Sequence, residues 1–414
     1  MEHYASRPSS FDAPIRLKSL PGPEGSIRAL FRQAGIEFDG SQPFDIQVRH
    51  PRVFDAIARS GSMGFGESYM AGDWECAQLD EMACRLLAAK LDQRPIGVAQ
   101  IKLLAHRLRS RLINLQSTAR AYQVGEQHYD IGNDVFERML DPAMIYSCGY
   151  WERASNLAQA QQDKCEMICR KLQLLPGERL LDIGCGWGGL AAYAARHFGV
   201  QVHGVTVSKQ QAEFARERCK GLPVTIGLRD YRLLTGHYDK IVSVGMFEHV
   251  GQKNYRIFFD TVQRLLKPEG VFLLHTIGTE AASGATDPWI DRYIFPNGRI
   301  PDAREIVSAM QGRLLLEDWH NFGPDYDRTL MAWATNFFTH WPEISSRYGE
   351  RFFRMWRYYL LSCAGYFRSR QGQLWQLVLT RADRRNSYRS FRFSPAQPAR
   401  RSDLHPGLTS QSAH

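Results

Sequence analysis

The sequence predicts an α/β fold, a doubly wound Rossmann-like sheet of the methyltransferase kind, preceded by a mostly helical N-terminal segment. Three observations carry this. From about Ala158 short apolar runs alternate with helical stretches, which argues for a parallel sheet covered on both faces. The stretch "LLDIGCGWGGLAAY" (180–193) places a strand, a glycine turn and a helix in succession. Before about Arg120 the pattern is helical instead, as in "SIRALFRQAG" (26–35) and "LDEMACRLLAAKL" (79–91).

Taken in order, residues 1–25 hold Pro8, Pro14, Pro21 and Pro23 among Ser and Gly and read as a flexible arm. Residues 26–120 form the helical segment. Within it, "IKLLAHRLRSRLINL" (101–115) has apolar residues near helical spacing with Lys102, His106, Arg107, Arg109 and Arg111 between them. Such a basic amphipathic helix can lie on an anionic bilayer, or it can be a solvated helix covering a domain edge. A domain over 121–380 follows. Its helix "QDKCEMICRKLQL" leads to strand "RLLDIG", helix "GLAAYAARHF", strand "QVHGVTV", helix "KQQAEFARERC" and strands "VTIGL" and "KIVSVGMF". Helix "RIFFDTVQRLL" and strand "GVFLLHTI" complete the alternation. The remainder to about Leu379 is rich in aromatic residues, and residues 381–414 shift to Arg, Ser and Pro, as expected of a disordered basic tail.

At 414 residues the chain exceeds one average domain, and 44% hydrophobic with 23% charged residues is ordinary globular usage. The net charge of +9 favours anionic surfaces without choosing among them. None of the eight cysteines forms a C-x-x-C pair, which argues against a zinc module and for a reduced, cytoplasmic protein. No apolar run approaches the roughly 18–20 residues of a membrane span, so a bilayer would be met from outside.

Gly184, Gly186 and Gly189 match G-x-G-x-x-G, the dinucleotide pattern. That reading wants an acidic residue at the end of the next strand, where this chain has "GVTVS" with Thr206 and Ser208. Asp182, Gly184, Gly186 and Gly188 also fit D-x-G-x-G-x-G, the loop of class I S-adenosylmethionine methyltransferases, where a Cβ would obstruct the cofactor. A structural glycine turn is the third reading. Further on, "VGMFEHVG" (244–251) sets Glu248 and His249 at the end of a buried strand, the edge where such sheets place their ligands.

Several longer stretches occur in order. They are "GESYMAGDWE" (66–75), "NLQS" (114–117), "GEQHYDIGNDVFERMLDP" (125–142), "YSCGYW" (146–151), "LDIGCGWGGL" (181–190) and "GVTVSKQQ" (204–211). "SVGMFEHVG" (243–251), "FLLHTIG" (272–278), "DPWIDRYIFPNG" (287–298) and "EDWHNFGPDYDRTLMAW" (317–333) continue the series. From about residue 26 to 380 the chain resembles the cyclopropane-fatty-acyl-phospholipid synthases. The resemblance implies methyl transfer from S-adenosyl-L-methionine to a cis double bond of a phospholipid acyl chain, followed by ring closure. It also implies an N-terminal helical lipid-binding domain, here 26–120, a homodimer, and a peripheral place at the inner face of the membrane. Nucleic acid is not an expected partner.

An alkene is a weak nucleophile, and methylation leaves a carbocation from which a proton must be removed. The site must be dry and hold a base that does not add to the cation. In the family that base is bound bicarbonate. The resemblance places its ligands at Cys148, Glu248, His275, the Ile277 backbone and Tyr326, with Glu248 orienting His275 or the anion. His249 is then a packed neighbour, and Cys363 matches a candidate nucleophile for which the mechanism has no need. The cofactor set joins Tyr146 and Ser147 to Asp182, Gly184, Gly186, Gly188 and Gly189, with Thr206 and Gln211 near the ribose and Asp230 and Tyr231 near the adenine. No metal is expected, since Cys148, His275 and Glu248 lack zinc spacing. Arg299 in "FPNGRIP" departs from the family pattern and is expected to alter head-group contact or substrate access. Two other readings stand beside this one: methylation of an unsaturated fatty acyl or other acceptor without ring closure, and a non-catalytic binding protein that keeps the fold.

Overall fold

The computed structural model describes residues 23–91, 132–279 and 286–393. The N-terminal arm to residue 22, the basic tract 101–115 and the tail from residue 394 therefore lie outside the described residues.

Four short helices open the chain: α1 (Pro23–Arg32), α2 (Arg52–Ser60), α3 (Ser62–Met70) and α4 (Leu79–Ala88). Two-residue strands β1 (Gln47–Val48) and β2 (Trp74–Glu75) tie them together. After α5 (Asn133–Met139), helix α6 (Leu157–Lys171) starts where the Asn156 side chain accepts from Gln159 N–H. The sheet then builds through β3 (Arg179–Ile183), α7 (Gly189–Phe198), β4 (Gln201–Thr206), α8 (Lys209–Arg218), β5 (Val224–Leu228) and β6 (Tyr238–Val244). Next come α9 (Tyr255–Leu265), β7 (Leu266–Thr279), α10 (Pro288–Tyr293), α11 (Ala303–Met310) and β8 (Leu314–Asn321). Helix α11 begins with a reciprocal capping box of Asp302 and Glu305. The 45-residue α12 (Pro324–Arg368) is two helices joined at Gly349, whose φ of 72° breaks the helical run. β9 (Gly372–Arg381) closes the fold.

The seven strands lie in the order β5-β4-β3-β6-β7-β9-β8. Five are parallel as the alternation predicts, but β9 runs antiparallel to both β7 and β8, so the sheet is mixed. Its last two strands come from the aromatic-rich remainder, which gave no strand signal. Period-two alternation sorts the strands into two faces. Leu180, Val242, Leu273 and Val378 meet α6 and α7. Leu181, Ile241, Phe272 and Leu377 meet α9 and α11. A third cluster joins the N-terminal helices to α12: Ile27, Phe54, Phe65 and Trp74 share it with Trp356, Tyr358 and Leu361.

One sequence expectation changes here. Residues 382–393, placed in the disordered tail on composition, fold back on the sheet: the Tyr388 hydroxyl donates to Lys171 O at 2.9 Å, and Arg392 pairs with Asp318. The Arg299 guanidinium pairs with Glu305 at 2.5 Å, both side chains 13% exposed, so it braces α11.

Candidate active site

At the carboxyl end of β3, Gly184, Gly186 and Gly188 all have φ between 53° and 84°, the left-handed region closed to most side chains. Around Gly186 a Cβ would meet nothing within 4 Å, so the loop borders open space that a side chain would fill. Gly189 serves packing instead, since its Cβ would sit 2.5 Å from Ala143 O. That contact draws the segment carrying Tyr146 and Ser147 onto the loop. Asp182, on the α6 side of the sheet, is buried with Oδ2 lacking any partner among the described residues. Burial pushes its acid up to about 7, against the pull of the nearby Lys164 charge.

Thr206 and Gln211 are buried together, with the threonine hydroxyl donating to Gln211 Oε1 at 3.0 Å. Asp230 is clasped by Arg232, Oδ1 accepting from its backbone N–H and Nε at 2.9 Å and Oδ2 from a terminal nitrogen at 2.5 Å. Tyr231 lies edge-on to Phe258 at 5.5 Å.

The second group of candidate residues lies on β6, the neighbour of β3, and on β7 beyond it. Beyond β6 the chain turns through Phe247–His249, while Gly245 N–H still donates to His275 O at 3.0 Å. This sets Glu248 opposite β7, where its Oε1 accepts from Ile277 N–H at 2.7 Å. Glu248 Oε2 is buried without a partner among the described residues, and burial raises its acid to about 7. The Ile277 N–H expected as an anion donor is therefore already engaged, and it orients Glu248 instead. His249 lies 5.9 Å from the Phe295 ring, and burial lowers its imidazolium to about 4.

His275 is 1% exposed. Burial, then the charges of Lys164, Lys171 and His320, drive its imidazolium well below the ordinary range. Its Nδ1 lies 3.1 Å from Gln376 Nε2, and its Nε2 has no partner among the described residues. Gln376, not Glu248, thus orients the ring.

Cys148 is fully buried and its thiol stays protonated, burial pushing it well above the ordinary range. It packs with Ile277 and Tyr326. Thr329 anchors its segment, accepting from Gly149 N–H at 3.0 Å and the Trp151 indole at 2.8 Å. Tyr326, in the first turn of α12, stacks on Phe367 at 4.4 Å and lies edge-on to Trp333 at 6.1 Å. Burial, then the neighbouring Cys148, Glu248, Tyr146 and Cys363, raise its phenol well above the ordinary range. The fold thus brings Cys148, Glu248, Tyr146 and Cys363 around one phenol. Burial keeps Cys363 a thiol, pushed up to about 12, which makes it a poor nucleophile.

Three side chains at this site went unread in the sequence. Lys164 and Lys171, seven apart on α6, are buried against the sheet, and Lys164 Nζ donates to Ser147 Oγ at 2.7 Å. Lysines among the apolar positions of a helix were the available signal. Gln376 had none. Among the described residues no group of three or more His, Cys, Asp or Glu is placed to hold a metal ion.

Comparison with known proteins bears on the family and the fold. Residues 116–377 match the family model described as mycolic acid cyclopropane synthetase. The chain is 55% identical over 353 residues to a cyclopropane-fatty-acyl-phospholipid synthase of Escherichia coli K12, covering 85% of this chain and 92% of that one. It is 32% identical over 371 residues to the tuberculostearic acid methyltransferase UfaA1 of Mycobacterium tuberculosis, covering 83% and 86%. Among solved structures, the mycolic acid cyclopropane synthase CmaA1 complexed with SAH and CTAB superposes with a TM-score of 0.59 at 30% identity, over 62% of this chain and 97% of that one.

Proposed function

The chain belongs to the mycolic acid cyclopropane synthetase family and is an S-adenosylmethionine-dependent methyltransferase that cyclopropanates lipid; on that premise we propose that its acceptor is the cis double bond of a phospholipid acyl chain and that bicarbonate is the base. The observation that carries the proposal is the pair of buried atoms toward the carboxyl ends of β6 and β7, Glu248 Oε2 and His275 Nε2, that have no partner among the described residues. A carboxylate oxygen accepts and an imidazole N–H donates. Together they suit a small anion bearing both an O–H and a bare oxygen.

S-adenosylmethionine supplies an electrophilic methyl, and bicarbonate supplies a base that forms no ester with the carbocation on the acyl chain. The open loop at Gly184, Gly186 and Gly188, backed by Asp182 and flanked by Tyr146 and Ser147, would hold the cofactor. Thr206, Gln211, Asp230 and Tyr231 border the same sheet edge. Glu248, His275, Tyr326 and Cys148 would hold the anion. The rings of Tyr146, Trp333 and Tyr326, with neighbouring centroids 5.1 and 6.1 Å apart, exclude water and present π-faces to a passing cation. Because Cys148 and Cys363 stay thiols, neither competes for that cation. The net charge of +9 supports a further proposal, peripheral binding to an anionic phospholipid surface, with the enzyme acting as a homodimer.

The test is incubation of the purified protein with labelled S-adenosylmethionine and vesicles of cis-unsaturated phospholipid, with mass spectrometry of the released acyl chains. The expected product gains one CH₂ with a ring in place of the double bond, and its yield falls in bicarbonate-depleted buffer and recovers on adding bicarbonate back. A methylated chain without a ring would move the chain to the methyltransferase reading. Ring formation indifferent to bicarbonate would remove the base assignment.

A further inference from the structure

Behind His275 runs a line of buried polar groups that the methyl-transfer chemistry does not itself require. Strand register sets His275 of β7 opposite Gln376 of β9, and Gln376 opposite His320 of β8. From α6, Lys171 reaches down onto this row, its Nζ 2.7 Å from Gln376 Oε1 and 3.0 Å from His320 Nδ1. We propose that Lys171 and Gln376 are positioning residues that fix His275 as the neutral tautomer with its proton on Nε2, so that it meets the reaction centre as an N–H donor. The proposal rests on the reading that His275 faces that centre.

The argument follows the direction of each hydrogen bond. Burial lowers the Lys171 amine to about 7, and charged or neutral it keeps at least two N–H groups, of which one is given to Gln376 Oε1 at 2.7 Å, so the oxygen end of the amide faces the lysine. The amide NH₂ is then turned toward His275, 3.1 Å from Nδ1. An NH₂ group only donates, which requires Nδ1 to be the bare nitrogen. His275 is buried among Lys164, Lys171 and His320, which disfavours a second ring proton. The single remaining proton belongs on Nε2, the buried atom without a partner among the described residues. His320 is held neutral, burial and the Lys171 charge lowering it to about 3, so its Nδ1 can accept a second hydrogen bond from the same Nζ. Lys171 thus sits between two acceptors, and the amide has one stable orientation. The reverse orientation would set NH₂ against the amine, place the His275 proton on Nδ1, and leave Nε2 an acceptor that repels an anion.

The tautomer can be read directly by nitrogen NMR of the full-length protein labelled with ¹⁵N-histidine, the His275 signals being assigned by their loss in His275→Asn. We expect a protonated-type Nε2 and a bare-type Nδ1. A proton on Nδ1, or on both nitrogens, would overturn the proposal with no variant needed. In Lys171→Met we expect the single tautomer to give way to a mixture, and kcat to fall about tenfold or more with cofactor affinity within about twofold. Lys171→Arg, which keeps a donor, should restore both the spectrum and much of the rate. A variant that loses stability while His275 keeps its signals would show Lys171 to be structural only. Bicarbonate dependence separates the two readings: the expected tautomer with bicarbonate-indifferent turnover would sink the base assignment alone, and the reversed tautomer with bicarbonate-dependent turnover would sink this one alone.

Discussion

The two oxygens of Glu248 meet different surroundings, one bonded to Ile277 N–H at 2.7 Å and the other buried without a partner among the described residues. Burial raises the acid to about 7, so the fold favours its protonated form. The stability this contributes is fully present below the ordinary glutamate range and is lost as pH rises through about 7. Glu248→Gln removes the ionisation while keeping an oxygen for Ile277. In thermal melts without ligand the variant should therefore gain on the parent between about pH 5 and 8, by up to ~3 kcal/mol. Its ring formation should fall by roughly 100-fold or more with cofactor affinity within about threefold, because the group acts at the reacting end. Equal losses in both, seen by product assay and calorimetric titration, would remove Glu248 from that end. Glu248 could be found in the sequence as a titratable residue closing a buried apolar run, and His275 only through the family resemblance. Gln376 could not, since its contacts with His275 and Lys171 span 101 and 205 residues and arise only from strand register and helix-on-sheet packing, while Lys171 left no more than the signal of a lysine among apolar helix positions.

Among the elements, β3 through β7 were legible because each is a short apolar run bounded by helix or turn. β8 and β9 were not, for different reasons. β8 carries Glu317, Asp318, His320 and Asn321 and breaks register between Leu316 and Asp318, so no clean alternation survives. β9 is buried along nearly its whole length and merges by composition with the aromatic helix before it. That helix makes its own demands at two glycines. At Gly365 a Cβ would lie 2.5 Å from Asp80 O and 2.7 Å from Cys84 N, both backbone atoms of α4. Gly365→Ala should therefore cost about 1–3 kcal/mol by pushing the two helices apart. Gly349→Ala meets no atom within 4 Å and acts through the backbone alone, since φ 72° with ψ 170° is a region essentially confined to glycine, at a cost of about 1–3 kcal/mol. Denaturant melts of the two variants would check both costs, and a Gly365→Ala loss well below about 1 kcal/mol would mean that the α4 contact yields easily.

For the whole molecule, the excess of 52 basic over 43 acidic residues is the property that bears on a membrane partner. If the proposed bilayer contact runs through the basic tract, neutralising Lys102, Arg107 and Arg111 should weaken sedimentation with anionic vesicles, most clearly at low salt. Unchanged sedimentation would assign the contact elsewhere. The position of β9 has a consequence of another kind, for biosynthesis. It is the last strand to leave the ribosome, yet it lies inside the sheet between β7 and β8. The glycine loop is built from strands made far earlier, so a nascent chain can assemble its cofactor-binding half while β7 still shows an open edge. That edge is a template for pairing with other chains until residues 372–381 arrive. The same strand brings Gln376 to His275, so protection from aggregation and completion of the reaction centre come in one late step. If the glycine loop and Gln376 act as proposed, a ribosome stalled before Gly372 would hold a protein able to recognise its methyl donor but not yet able to use it.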